Sequence, residues 1–461
     1  MSNDTIRIIV PCGSLGAGVR AEEVRYGVER GAQAIATDAG STDSGAAYLA
    51  LGMSKNNRGA VKRDLLILMK AQAEANIPLL IGSCGQAGGD ANVDWTKEIV
   101  LEVARELGLR PRIAILYCEQ DKATLKAKNA AGDVRPLPPL GPLTNDVIDS
   151  CDHIVAAMGP EPYIAALQSG ADIVLGGRTT DTAVLSCFAL MKGAPAGPSW
   201  HAAKVAECGA QCTVYPTRGA GVLISIGMDG FEVEPLNADN RCDPHSVSAH
   251  MLYENSNPFQ LVEPGGVLDV TAAHYASVDD RTVKVTGSVW TKAPYTMKLE
   301  GAAAGRYQTI MLIGIQDPDV LARIDEFHDN MLAVLNERVR ATIGNAEGNF
   351  HISLRLYGWN AVSGVKPEPG TPPPREVGVL FVATAETQAM ATQIAKACNP
   401  YFFHFPLSLD RELPSYGFAF SPADIERGRV YEFKLNHVVH VADPMELVRT
   451  EWVDLRQSEA A

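Results

Sequence analysis

"GADIVLGGRTTDTAVLSC" (residues 170–187) decides how the first half of the chain is read. The apolar run Ala171–Leu175 stops at Gly176-Gly177, and Arg178, Thr179, Thr180 and Asp181 follow. A helical pattern then begins at once. Strand, short polar turn and helix in this order form half of a βαβ unit. The same order recurs upstream. "IRIIV" (6–10), "AIAT" (34–37), "PLLIGS" (78–83), "RIAILY" (112–117), "HIVAAM" (153–158) and "DIVLGG" (172–177) are short and continuously apolar, and helical patterns separate most of them. Strands of this kind are covered on both faces, as in a parallel sheet. The expected fold class is α/β, an open, doubly wound, largely parallel sheet, with a closed barrel as the alternative.

The rest of the chain changes character. Residues 195–300 are Gly-rich and read as a β-rich insertion in a first domain of residues 1–300 whose loops close over the sheet. From 305 the order is β-α-β-β-α-β, which predicts a ferredoxin-like α+β domain over 305–461. "FHISLRLYGW" and "EVGVLFVAT" are its middle strands, and the Pro-rich "VKPEPGTPPPRE" (365–376) is a surface loop between them.

The 461 residues carry a formal net charge of −14 with no basic cluster, which argues against nucleic acid and anionic membrane surfaces. No run approaches the roughly 20 apolar residues of a membrane span. The N-terminus lacks a signal-peptide pattern, and nine cysteines without a Cys-x-x-Cys pair point to reduced thiols. A cytoplasmic protein is expected.

Ligands of parallel sheets bind beyond the carboxyl ends of the strands. The first end carries Gly13, Gly16, Gly18 and Arg20; the second Asp38, Ser41, Thr42, Asp43 and Ser44; the third Ser83, Cys84, Gln86 and Asp90; the fourth Glu119 and Asp121. At "GGRTTD", a guanidinium beside an apolar core needs an anion, which is either Asp181 or a substrate carboxylate. Candidate catalytic groups are Asp43, Asp181, Glu207 and Cys84. Candidate substrate contacts are Arg178, Thr180, Ser41, Thr42, Gly16, Gly18, Arg20 and Gln86. Each has a plain alternative: Asp43 and Asp181 as helix caps, Cys84 as a buried core residue, and Arg178–Asp181 as a structural pair. In "HAAKVAECGAQCT" (201–213), His201, Lys204, Glu207 and Cys208 fall at helical spacing. His, Glu and Cys there could ligate a metal, but the spacing matches no recognised zinc pattern, and ordinary capping and packing is the alternative. "VEPGGVLDV" places Glu263 before two glycines.

Gly177-Arg178-Thr179-Thr180-Asp181-Thr182, Glu207-Cys208-Gly209-Ala210-Gln211 and the Gly-rich start resemble the acyclic terpene utilisation (AtuA) family over most of residues 5–300. The resemblance implies a catabolic role and leaves the reaction open. With carboxylates, an arginine and no redox-cofactor motif, the expected function is an enzyme for a small carboxylic acid or acyl thioester. Its chemistry is that of a hydratase, dehydratase or isomerase, with Asp43 or Asp181 as general base or as ligand of a divalent cation. The alternative is a non-catalytic acyl-binding or accessory subunit. The metal, if one is needed, is unknown. A homo-oligomer is expected, with subunit contacts through the C-terminal domain.

Overall fold

The computed structural model describes residues 5–253, 255–343, 349–407 and 412–457. The chain divides into two compact units, Met1–Ala303 with Glu432–Ala461, and Ala304–Tyr431.

The first unit is a mixed α/β structure. β1 (Ile6–Val10), β2 (Ala34–Asp38), β3 (Leu79–Gly82) and β4 (Arg112–Tyr117) follow the sequence reading closely. β5 (Val134–Pro136) and β6 (His153–Ala156) stand outside the main sheet, and β7 (Ile173–Gly176) inserts between β3 and β4. The parallel core is therefore β1-β2-β3-β7-β4. Successive side chains enter opposite faces, and both faces are covered. Ile9, Ile35, Ile81, Ile115 and Leu175 share one core with Val24, Leu65 and Val103 from the helices Ala21–Glu29, Arg58–Ala75 and Asp90–Leu107. Helices Glu161–Gln168, Asp181–Met191 and Ala196–Ala206 form a second layer, and Asp181–Met191 packs on β2 and β3.

The sheet is open, not closed into a barrel, and it is less parallel than expected. β8 (Val222–Ile226) pairs antiparallel with β1, and β9 (Gly230–Pro235) continues from it. β10 (Gln260–Glu263), β11 (Gly266–Asp269) and β14 (Val289–Lys292) form a small separate sheet, whereas β12 (His274–Ser277) and β13 (Val283–Thr286) extend the main one. The span 195–300 is thus partly an extension of the main sheet and not a self-contained insertion. "HIVAAM" is corrected too. β6 pairs antiparallel with the start of β15 (Thr296–Ile315), through Ala156–Leu299 to His153–Ala302.

In the second unit, β15 pairs with β17 (Val377–Ala385), and β17 pairs with β16 (Phe350–Tyr357), both antiparallel. β18 (Gly417–Phe418) adds a short pairing with β15. Alternating Ile352, Leu354 and Leu356 on β16 meet Phe327, Met331 and Leu335 of the helix Ile324–Ile343. β19 (Ile425–His440) carries the chain back into the first unit, where β20 (Arg449–Asp454) pairs antiparallel with β4. Residues from Glu432 on therefore belong to the first unit and not, as expected, to the second, because β20 completes an edge of the main sheet.

Candidate functional site

Packing requires the two glycines at the end of β7. A Cβ on Gly176 would meet the Tyr163 hydroxyl, and one on Gly177 would meet Cys118 Sγ and the Gly88 carbonyl. Protein atoms already occupy that space. The strand end is tied across the sheet, with Gly177 N–H donating to Leu116 and Arg178 N–H to Gly88.

Arg178 lies beneath this strand end and is buried. Its Nε donates to Glu300 Oε2 at 2.8 Å, and one terminal nitrogen reaches Ser83 Oγ, the Thr179 carbonyl and Asp181 Oδ1 at 3.2, 2.9 and 3.3 Å. Burial opposes its charge, but Glu300 and Asp181 outweigh burial and hold the guanidinium protonated. Glu300 also accepts from Thr42 Oγ1 and Lys298 Nζ, each at 2.8 Å. Against its own burial, Arg178 and Lys298 pull its carboxyl down to about 2. Arg178 and Thr42 thus serve a structural ion network.

The N-terminal loop is also self-sufficient. Gly16, Gly18 and Val19 donate their backbone N–H groups to the fully buried carboxylate of Asp64, at 2.9, 3.2 and 3.1 Å. These donors form an anion-binding nest, and Asp64 is its resident anion. Gly16 and Gly18 therefore cannot offer those donors to a substrate.

Above these layers lies a cavity of about 590 Å³ in the first unit, whose polar walls include Arg20, Asp38, Asp43, Lys55, Asp181 and Glu207. Gly18, Ser41, Gln86 and Cys208 also line it. It brings together Asp43, Asp181, Glu207, Arg20, Ser41, Gly18 and Gln86 from the expected set, and leaves out Arg178, Thr180, Thr42, Gly16 and Cys84. Cys84 is a core residue: it is fully buried, burial pushes its thiol up, and its Sγ contacts the Ile81 carbonyl. It is not placed as a nucleophile or a ligand contact. Thr180 lies off the cavity wall and donates its backbone N–H to Met158. His201 points away, to Ser288 and Tyr275, and burial lowers it to about 3. Glu119 belongs to a separate network with His153 and Asp90, and Asp121 caps the helix that follows it.

The sequence reading left Asp38 and Lys55 out of the candidate set. Asp38 ends a fully buried strand, and its Oδ1 has no hydrogen-bond partner among the described residues. Burial first, and the Asp181 charge second, raise its carboxyl well above the ordinary range. Asp181 is raised by burial too, against the pull of Arg178. Gln86 Oε1 is a second buried acceptor without a partner on the same cavity wall. Gln86 adopts φ +87°, a left-handed conformation unusual for a side-chain-bearing residue, and its Nε2 is held by the Ser41 carbonyl at 2.9 Å. On the rim, Ser41 Oγ donates to Asp43 at 2.7 Å and Lys55 Nζ to Ser44 Oγ at 2.7 Å.

The Glu207–Gln211 segment closes one wall. A Cβ on Gly13 would lie 2.7 Å from the Cys208 carbonyl carbon, so two backbones touch where that segment meets the first loop. Lys204 donates to Glu207, and burial raises Glu207 to about 8 despite that contact. Which residues could hold a metal follows from the same wall: Glu207 and Cys208 converge there with His250.

One pH effect follows. Glu263, buried beside Thr182, is raised to about 7 by burial. The unfolded chain loses that proton near the ordinary 4.5, so the folded state holds the extra proton, and stability should fall as pH rises from about 4.5 to about 7. Glu300 acts in the opposite sense. Its contribution is present above 4.5 and lost as pH falls toward 2. Glu263→Gln should flatten the neutral limb of a melting-temperature profile and leave the acid limb unchanged.

A family model described as "Acyclic terpene utilisation family protein AtuA" matches residues 68–217 and 231–417. The matched span contains Gln86, Asp181 and Glu207, while Arg20 and Asp38 precede it. No curated protein and no solved structure matches the chain. No helix among the described residues is long and apolar enough to cross a membrane.

Proposed function

The chain belongs to the acyclic terpene utilisation family, and from that premise we propose that it is a catabolic enzyme for a small carboxylic acid or acyl thioester, with hydratase, dehydratase or isomerase chemistry. The observation that carries this reading is the Asp38–Asp181 pair. Two carboxyls line one cavity, and the more buried one is raised first by its burial and then by the charge of the other. Groups pushed apart in this way divide the roles of acid and base. Asp38 holds its proton and serves as the acid, and Asp181, the more exposed of the two and beside Arg178, serves as the base.

A carboxylate or thioester oxygen needs donors, and Arg178 is already engaged. Arg20 and Lys55 are the cationic side chains on the cavity wall, and they take that role here. A hydrogen bond to a charged group contributes about 1.5–3 kcal/mol. Arg20→Ala should therefore raise KM roughly 10–100-fold with little change in kcat. The test is a panel of hydroxy and unsaturated acids and their thioesters, assayed with the wild-type and Arg20→Ala chains. A panel on which no member is turned over or raises the melting temperature would remove the reading.

For the fold, we read the parallel core with its two helix layers as doubly wound, and the order β16-β17-β15-β19 as a ferredoxin-like unit.

A further inference from the structure

A nitrogen without a partner lies behind one wall of the same cavity, next to Glu207. His250 is 6% exposed, and its Nε2 is buried with no hydrogen bond among the described residues. Such an atom calls for a partner that the polypeptide does not supply. Glu207 Oε1 stands 3.9 Å away. That is too far for a hydrogen bond, but close to the spacing of two donors that share one cation, each at about 2.0–2.2 Å. Cys208 completes the group: one ligand atom from each of Glu207, Cys208 and His250 lies within 4.8 Å of the others. Glu207 and Cys208 both line the cavity.

We propose that Glu207, Cys208 and His250 bind a divalent cation of the zinc type, with a fourth position open to the cavity. The donors are one sulfur, one nitrogen and one oxygen. Magnesium and calcium take oxygen ligands, whereas zinc accepts all three types, and three protein ligands with an open position are the pattern of a catalytic zinc. The three residues come from two separate segments, the end of helix Ala196–Ala206 with its following turn, and the turn at 250. A sequence motif of fixed spacing could not announce the site. In the cation-free chain, the Lys204 ammonium holds Glu207. Metal and ammonium compete for that carboxylate, and the Cys208 proton is released on binding. The assignment does not depend on the acid–base reading, because the metal alone probes it.

The experiment titrates the metal-stripped full chain with Zn²⁺ and Co²⁺. The wild type should take up one cation per chain, and its cobalt form should show tetrahedral visible bands with a thiolate-to-cobalt charge-transfer band. Cys208→Ser should lose the charge-transfer band, and His250→Gln should weaken binding about 10–100-fold or more. Lys204→Met should tighten it. Absence of saturable binding by the wild type, or a wild-type cobalt spectrum without the charge-transfer band, overturns the proposal without reference to any variant. So does wild-type affinity in a folded His250→Gln chain.

Discussion

Arg178→Ala should destabilise the folded chain by about 3–5 kcal/mol, because it leaves uncompensated buried charge. Glu300 is about 95% buried in its side chain and owes its low pKa to Arg178 and Lys298. Without the guanidinium, its carboxylate keeps, among the described residues, the partly exposed Lys298 and the Thr42 hydroxyl. Arg178→Lys should recover little, since one ammonium cannot reach Glu300, Ser83, the Thr179 carbonyl and Asp181 together. Arg178→Met combined with Glu300→Gln should recover part of the loss, because it removes both buried charges. Chemical denaturation of the three variants measures this. An Arg178→Ala chain that unfolds like the wild type, but loses ligand affinity, would return the residue to a substrate-binding role.

The second large effect falls on activity and not on stability. Asp181→Asn and Asp38→Asn should each lower kcat about 10²–10⁴-fold, the usual contribution of a positioned acid or base. Neither should lower the melting temperature at neutral pH. Both carboxyls are raised by burial, so each disfavours the folded state once it ionises, and a neutral amide removes that penalty. Lost activity with unchanged or higher melting temperature is the signature of groups kept for function. Melting curves and initial rates on the same preparations separate this from simple unfolding.

The sequence made the core of the fold legible and blurred its edges. β1, β2, β3, β4 and β7 stood out because strands buried on both faces read as uninterrupted apolar runs. β6 has the same appearance, yet pairs with β15, since local composition does not choose a partner. β20 was missed for a related reason: "RTEWVD" is an exposed edge strand with almost no apolar signal. Site residues followed the same logic. Strand ends pointed to the right face of the sheet and so to Asp181, Arg20 and Gln86. They could not show that Arg178 is answered from within the protein by Glu300, which lies 122 residues away. Nor could they show that Asp64 fills the glycine nest from a helix 46 residues beyond Gly18. Asp38 was visible as a carboxylate ending an apolar strand, and the missing partner of its Oδ1 is a property of three dimensions only.

Proton transfer within the cavity exchanges hydrogen at carbon, and deuterium incorporation reads it. The chain would be incubated in D₂O with small carboxylic acids and acyl thioesters, and deuterium at the carbon beside the carbonyl would be followed by NMR. The wild-type protein should catalyse wash-in on at least one member of the panel, and Asp181→Asn should abolish it. Wash-in that persists undiminished in both Asp181→Asn and Asp38→Asn would contradict proton transfer by these carboxyls.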